Sequence, residues 1–137
     1  MSSNEASTQR TNMDALVANY QQLFSMPPTG CATAPGRVNL IGEFTDYNQG
    51  YVLPCALEFA TQVLFSKAQD ELVTVYSTNY LGEMDEFDTS GDVCAGASQW
   101  GNYIRAVVFV LKRSGHEIGG LNLLISSNVP QGAGLSS

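Results

Sequence analysis

Apolar residues at Leu16, Val17, Tyr20, Leu23 and Phe24 fall at i, i+1, i+4, i+7 and i+8 with polar positions between them, which is one face of a helix. Thr11 or Asn12 offers a side-chain oxygen to cap its first turn. The run Met26-Pro27-Pro28-Thr29-Gly30 ends it, because proline lacks an amide donor and biases the residue before it toward an extended conformation. Residues 1–11 carry no apolar period and read as a disordered polar tail. Beyond the prolines, residues 31–34 and 38–41 predict short strands around a Pro35-Gly36 turn. Asn48-Gln49-Gly50 is a second turn signal, and residues 51–56, 61–66 and 72–78 predict further strands, rich in β-branched and aromatic side chains. From Gln99 the spacing becomes helical through Trp100, Tyr103, Ile104, Val107, Val108 and Leu111, closing at Lys112-Arg113-Ser114-Gly115, where basic residues before a glycine suit a helix carboxyl end. Residues 121–125 predict a short buried strand that runs into a glycine-rich ending. Neither a repeat nor a long linker interrupts the pattern.

Composition narrows the functional classes. The 137 residues are 44% apolar and 14% charged, enough for one compact domain and against disorder over most of the length. Thirteen acidic residues against six scattered basic ones give a net charge of −7, which excludes a nucleic-acid binder on electrostatic grounds. Glu83, Asp85, Glu86, Asp88 and Asp92 crowd one stretch that reads as a solvated loop or an exposed strand face without a catalytic role. Cys31, Cys55 and Cys94 are odd in number and widely spaced, and His116 is the single histidine, so neither a zinc site nor a disulfide framework is expected. The polar start is neither a secretory signal nor a membrane span, and a reducing, cytoplasmic setting fits best.

Chemistry concentrates in Ala34-Pro35-Gly36-Arg37-Val38-Asn39-Leu40-Ile41-Gly42-Glu43-Phe44-Thr45-Asp46-Tyr47-Asn48, which sets one arginine and two carboxylates in an otherwise largely apolar, glycine-bounded segment. The planar guanidinium of Arg37 suits phosphate or a developing negative charge, although a salt-bridged surface arginine has the same sequence appearance. Glu43 and Asp46 are acceptors when ionised and match the donors of a sugar's hydroxyls, while Asp46 is equally suited to capping a turn. Gly132-Ala133-Gly134-Leu135-Ser136-Ser137 follows a predicted strand, where small residues let backbone amides converge on an anion. It is neither a GK[ST] loop nor GxGxxG, and an ordinary turn would look alike. Trp100 and Tyr103, at i and i+3, serve a core stripe as readily as a ligand wall.

The 34–48 segment closely resembles the signature of galactokinases, within the wider family of small-molecule kinases that includes homoserine, mevalonate and phosphomevalonate kinases. VPQGAGLSS resembles that family's phosphate loop, and Trp100-Gly101-Asn102-Tyr103 its WxNY adenine-pocket pattern. The resemblance implies an α+β fold, the amino-terminal lobe of a small-molecule kinase, with a mixed sheet backed by helices, a left-handed crossover, and a carboxyl-terminal lobe absent from this chain. It implies ATP-dependent phosphorylation of galactose at its anomeric hydroxyl, with ATP and Mg2+ as cofactors and no nucleic-acid or membrane partner. Arg37 takes the catalytic, transition-state role, and Glu43, Phe44, Thr45 and Asp46 the sugar-binding positions. Ser77, Trp100, Tyr103, Gly132, Ala133, Gly134, Leu135, Ser136 and Ser137 take the nucleotide-binding positions. No metal ligand is assigned within the chain, since the third serine of the loop, the completing carboxylate and the general base all fall beyond residue 137. Residues 12–137 are accordingly expected to be a partial sugar- and ATP-binding lobe, ending within the phosphate loop and inactive alone. Such a partial lobe is expected to expose apolar faces and to aggregate or stay loosely packed. An N-acetylgalactosamine kinase or other sugar kinase, a non-catalytic galactose and ATP sensor, and a decayed gene product fit the same residues.

Phe44 departs from the pattern, standing where the family has a histidine. A phenyl ring neither donates nor accepts a conventional hydrogen bond, and losing one polar contact to a sugar costs about 1–3 kcal/mol when its partner stays buried and unpaired. Galactose titration of the full-length protein and its Phe44→His variant should show the variant binding about tenfold more tightly. Equal dissociation constants would contradict this.

Overall fold

The computed structural model describes residues 3–42, 44–130 and 132, with side chains from residue 12 onward except that of Asp46. The described elements are α1 (Ser3–Phe24), β1 (Gly30–Ile41), a 3-10 turn (Asp46–Asn48), β2 (Leu53–Lys67), β3 (Leu72–Ser77), β4 (Met84–Asp88), α2 (Gly101–Arg113) and β5 (Leu121–Ser127). The strands form one sheet in the order β1-β2-β5-β3-β4, antiparallel throughout except for the parallel pair β3–β5. This is the mixed, helix-backed α+β sheet that the family resemblance implied.

Alternation along the strands explains why a helix is needed on each face. Leu123 and Ile125 of β5 pack with Val73, Val75, Phe87 and the α2 residue Val108, whereas Leu124, between them, packs with Leu64 and the α1 residues Leu16 and Tyr20. Side chains two apart share a face of a strand, so α1 and α2 cover opposite sides of the sheet. Tyr20 is fully buried, and its hydroxyl donates to Ser66 Oγ at 2.7 Å with the Asn122 carbonyl at 3.1 Å. Burial of the ring pushes its phenol pKa above the ordinary value, with the Ser66 hydrogen bond opposing. Helix α1 begins at Ser3, ahead of the expected cap at Thr11 or Asn12, so residues 3–11, read from the sequence as a disordered tail, are helical. Once the packed turns around Leu16 and Tyr20 are formed, extending a helix is far cheaper than nucleating one.

Two pairs of expected strands merge. Residues 30–41 form one strand despite Pro35, and residues 53–67 form another despite Pro54. The reason is position in the sheet. The Ala60 amide donates to Asn128 Oδ1 at 2.7 Å, away from β1, so Pro35, which stands opposite Ala60, occupies a pair in which no amide is required. Pro54, opposite Asn39 of β1, lies outside the Thr61–Lys67 span that pairs with β5, so no β5 neighbour requires its missing donor. Between Pro35 and Arg37 the register slips, so that Leu57, Glu58 and Phe59 stand opposite Gly36 alone. No described helix is long and apolar enough to cross a membrane.

The acidic stretch 83–92 contains a strand the sequence pattern did not resolve, and Asp85 departs from the expected solvated face. In β4 the alternation turns Asp85 and Phe87 inward. Asp85 accepts two hydrogen bonds from Arg105 of α2, Nε to Oδ2 and Nη2 to Oδ1, both 2.8 Å, with side chains only 14% and 7% exposed. Arg105 also donates to the Glu86 carbonyl at 2.8 Å and lies over the Phe87 ring, 4.6 Å from its centroid. Hydrogen bonding to Asp85 raises the Arg105 pKa above its ordinary value, with burial opposing. A Cβ at Gly101 would overlap the Asp85 carboxylate, so only glycine lets the amino end of α2 sit on this carboxylate, where the helix dipole favours a negative charge.

Removing one member of such a desolvated bidentate pair strands the other charge. Asp85→Ala is expected to destabilise the fold by about 3 kcal/mol, read from the shift in the urea midpoint. A loss below about 1 kcal/mol, the scale of a solvent-screened surface pair, would contradict the buried-pair description.

Candidate functional site

The Gly42–Tyr51 loop is shaped by backbone conformations that few residues tolerate. Gly42 has φ +110°, and a Cβ there would come within 2.7 Å of the Tyr51 carbonyl oxygen. Phe44 and Gln49 also take left-handed backbones, at φ 62° and 58°. Thr45 organises the turn. Its hydroxyl donates to the Gly42 carbonyl at 2.7 Å and lies 3.1 Å from that of Tyr51, while its own carbonyl accepts from the amides of Asn48 and Gly50 at 3.0 and 2.8 Å. The Asn48 side chain donates to the Phe44 carbonyl at 3.1 Å. Phe44 itself is 75% exposed, so its ring is not a core residue that happens to sit in the motif. Arg37 lies exposed on β1 opposite Ala56. Glu43 lies outside the described residues, as does the side chain of Asp46.

On the sheet's α2 side is a cleft of about 1080 Å³. Its lining includes Ser77, Trp100 and Tyr103, drawn from two segments of the chain and singled out for nucleotide binding, together with Asn79, Tyr80, Asn102, Ser127 and Val129. Ser77 is the last residue of β3 and is buried. Trp100 packs partly on the core and stacks on Tyr80, rings parallel to within 6° and 5.6 Å apart. Its indole N–H donates to Glu83 Oε2 at 2.8 Å, which fixes the ring in its plane. Tyr103 is 80% exposed and forms the outer wall. Trp100 is thus partly a core residue while Tyr103 is exposed, and both line the cleft.

Asparagine amides hold the cleft's margins. Asn102 brackets Gly96, accepting from its amide at 2.8 Å and donating to its carbonyl at 3.1 Å. Asn79 brackets Ser127 in the same way, and Asn128 takes the Ala60 amide on its side chain while its own amide donates to the Ala60 carbonyl at 3.2 Å. The Ser98 hydroxyl accepts the Gly101 amide at 3.1 Å just ahead of α2. Asn79, Tyr80, Glu83 and Asn128 were not picked out from the sequence. Polar residues following a strand look like any turn, and only the fold shows what their amides and rings meet.

The two motifs meet across β2. Gly36 neighbours Val129: a Cβ there would be in van der Waals contact, 3.4 Å from Val129 Cγ2 and from the Phe59 carbonyl oxygen. Val129 belongs both to the cleft and to the segment entering the glycine loop. Of that loop, Gly132 is a left-handed turn residue at φ 70°, while Ala133, Gly134, Leu135, Ser136 and Ser137 lie outside the described residues. Among the described residues no group of three or more His, Cys, Asp or Glu side chains is gathered to hold a metal ion.

Comparison with known proteins matches this geometry. The family model for the galactokinase galactose-binding signature matches residues 18–67, which span α1's packed turns, β1, the Gly42–Tyr51 loop and β2. The galactokinase of Lactococcus lactis, solved in complex with galactose, is 37% identical over 91% of the chain with a TM-score of 0.81. The chain carries the galactokinase galactose-binding signature and resembles the amino-terminal part of a galactokinase. It covers 33% of the lactococcal enzyme, so it spans about a third of the length of that galactokinase. The mevalonate kinase of Methanococcus jannaschii, 17% identical over 77% of this chain and 34% of its own at a TM-score of 0.61, shares the fold. So does a D-glycero-D-manno-heptose 1-phosphate kinase, 14% identical over 76% of this chain and 35% of its own at 0.59. Within the galactokinase frame, the signature covers the Arg37 segment and β2, and the cleft lies on the far side of β2 from β1.

Proposed function

We propose that this chain supplies the galactose- and ATP-binding lobe of a kinase that phosphorylates galactose at its anomeric hydroxyl. The observation that carries the reading is the arrangement around β2: the Arg37–Asn48 signature on one side, and on the other a cleft that gathers Ser77, Trp100 and Tyr103 beside the entry to the glycine loop. A cleft of this size with aromatic walls and a few fixed polar groups fits a nucleotide.

In this reading Trp100, held edge-on by Glu83 and backed by Tyr80, and Tyr103 offer apolar faces to adenine. The amides of Gly132, Ala133, Gly134, Leu135, Ser136 and Ser137 cradle the phosphates. Glu43 and Asp46 accept hydrogen bonds from the sugar's hydroxyls, and Thr45 keeps the loop that carries them in shape. Phe44 gives that loop an apolar face where a histidine would give a polar one. ATP supplies the phosphoryl group: a bond forms between the anomeric oxygen and phosphorus, the bond to the ADP oxygen breaks, and the hydroxyl proton departs. Arg37 places fixed positive charge beside the γ-phosphoryl group and the anomeric oxygen, where negative charge develops. Among the described residues no three His, Cys, Asp or Glu side chains gather to hold Mg2+.

Trp100 is the single tryptophan of the chain, so ATP should quench its fluorescence saturably. In the full-length protein, Arg37→Ala should lower kcat by about 10²–10³ with the galactose dissociation constant nearly unchanged. Absence of any ATP-dependent change at Trp100 would overturn the nucleotide reading, and an unaltered kcat would remove Arg37 from the chemistry.

A further inference from the structure

We infer that Asn79 is a positioning residue for the phosphate loop, holding the segment that leads into it in the geometry that receives a triphosphate. The inference rests on the nucleotide reading of the cleft. The parallel ladder between β3 and β5 closes with the Thr78 amide donating to the Ile125 carbonyl at 2.9 Å. Past this point the β3 chain turns away, the Tyr80 amide bonding back to the Ser77 carbonyl at 3.3 Å. In a strand, the amide and carbonyl of one residue point to the same edge, so those of Ser127 would be left facing the vacated position. Asn79 fills it with its side chain. Its Nδ2 donates to the Ser127 carbonyl at 2.9 Å, and its Oδ1 accepts from the Ser127 amide at 3.1 Å. A primary amide carries the same donor and acceptor as a peptide, and the bracket adds one residue of ladder after the backbone has left.

The next residue is held from the opposite edge, where Asn128 pairs with Ala60. Ser127 is further fixed by its hydroxyl, 2.8 Å from Thr61 Oγ1 and accepting from the Val129 amide at 3.3 Å. Residues 127–129 are therefore clamped between β3 and β2 immediately before the glycine loop. Preorganisation matters at such a place, because a loop that must be ordered on binding loses that ordering free energy from the ligand's affinity. The aromatic wall at Trp100 and Tyr103 has anchors that do not pass through the Asn79 side chain, Glu83 on the indole and the Arg105–Asp85 pair on α2, while Tyr80, the residue after Asn79, backs the indole. Releasing the Asn79 side chain should consequently be felt chiefly by the phosphates and little by adenosine.

Calorimetric titration of the full chain with ATP and, separately, with adenosine tests this. Asn79→Ala should weaken ATP about tenfold, the scale of two hydrogen bonds, and leave adenosine within about twofold. Asn79→Ser, which is shorter and cannot span both Ser127 groups, should give the same split and serves if the alanine variant does not fold. Equal weakening of both ligands, or of neither, would overturn the inference and leave the cleft's assignment standing. Failure of the unsubstituted chain to bind either ligand would overturn the nucleotide reading itself, and this inference with it.

Discussion

The site depends on how one residue of β2 is paired. Ala60 turns its amide and carbonyl to the β5 side, where Asn128 takes both, and stands opposite Pro35 on the β1 side, where no amide is needed. A single residue therefore borders the entry to the glycine loop on one flank and the start of the Arg37 segment on the other. Beside it the register slips, the excess β2 residues being taken up opposite Gly36, which lies next to Val129. Two ligands that must meet for group transfer would thereby be held on one rigid strand, whose Leu64 and Ser66 are among the most buried side chains in the fold.

The wall of the cleft is anchored separately. Arg105 and Asp85 tie α2 to β4 through a bidentate pair that little water reaches, and Gly101 allows the helix end to settle on the carboxylate. Trp100 sits one residue before that contact and is fixed in turn by Tyr80 and Glu83. The acidic stretch that looked like a solvated surface thus supplies both anchors, Asp85 to the helix and Glu83 to the indole. The aromatic wall and residues 127–129 are thus held by different sets of contacts.

How much of this is legible in the sequence depends on range. The period of Leu16, Tyr20 and Phe24 and that of Trp100, Ile104 and Val108 reveals both helices, because each needs only one face to be apolar. The Arg37–Asn48 segment and Trp100–Tyr103 are recognisable because their chemistry is dense over a few residues. Pro35 misleads, since whether a proline breaks a strand depends on which edge its missing amide faces, and this is set by neighbours distant in the chain. Strand β4 hides for a related reason: Asp85 looks like surface until Arg105, twenty residues on, neutralises it. Asn79 and Asn128 read as turn residues because the peptides they complete, Ser127 and Ala60, are remote from one or both of them in sequence.

The central claim is that sugar and nucleotide flank one stretch of β2. A crystal structure of the full-length protein with galactose and a non-hydrolysable ATP analogue tests it most directly. The account predicts galactose against the Arg37–Asp46 segment, adenine beside Trp100 and Tyr103, and the phosphates at the loop entered through Ser127–Pro130, with Ala60 between the two ligands. A nucleotide bound away from that cleft, or a sugar bound away from that segment, would contradict it.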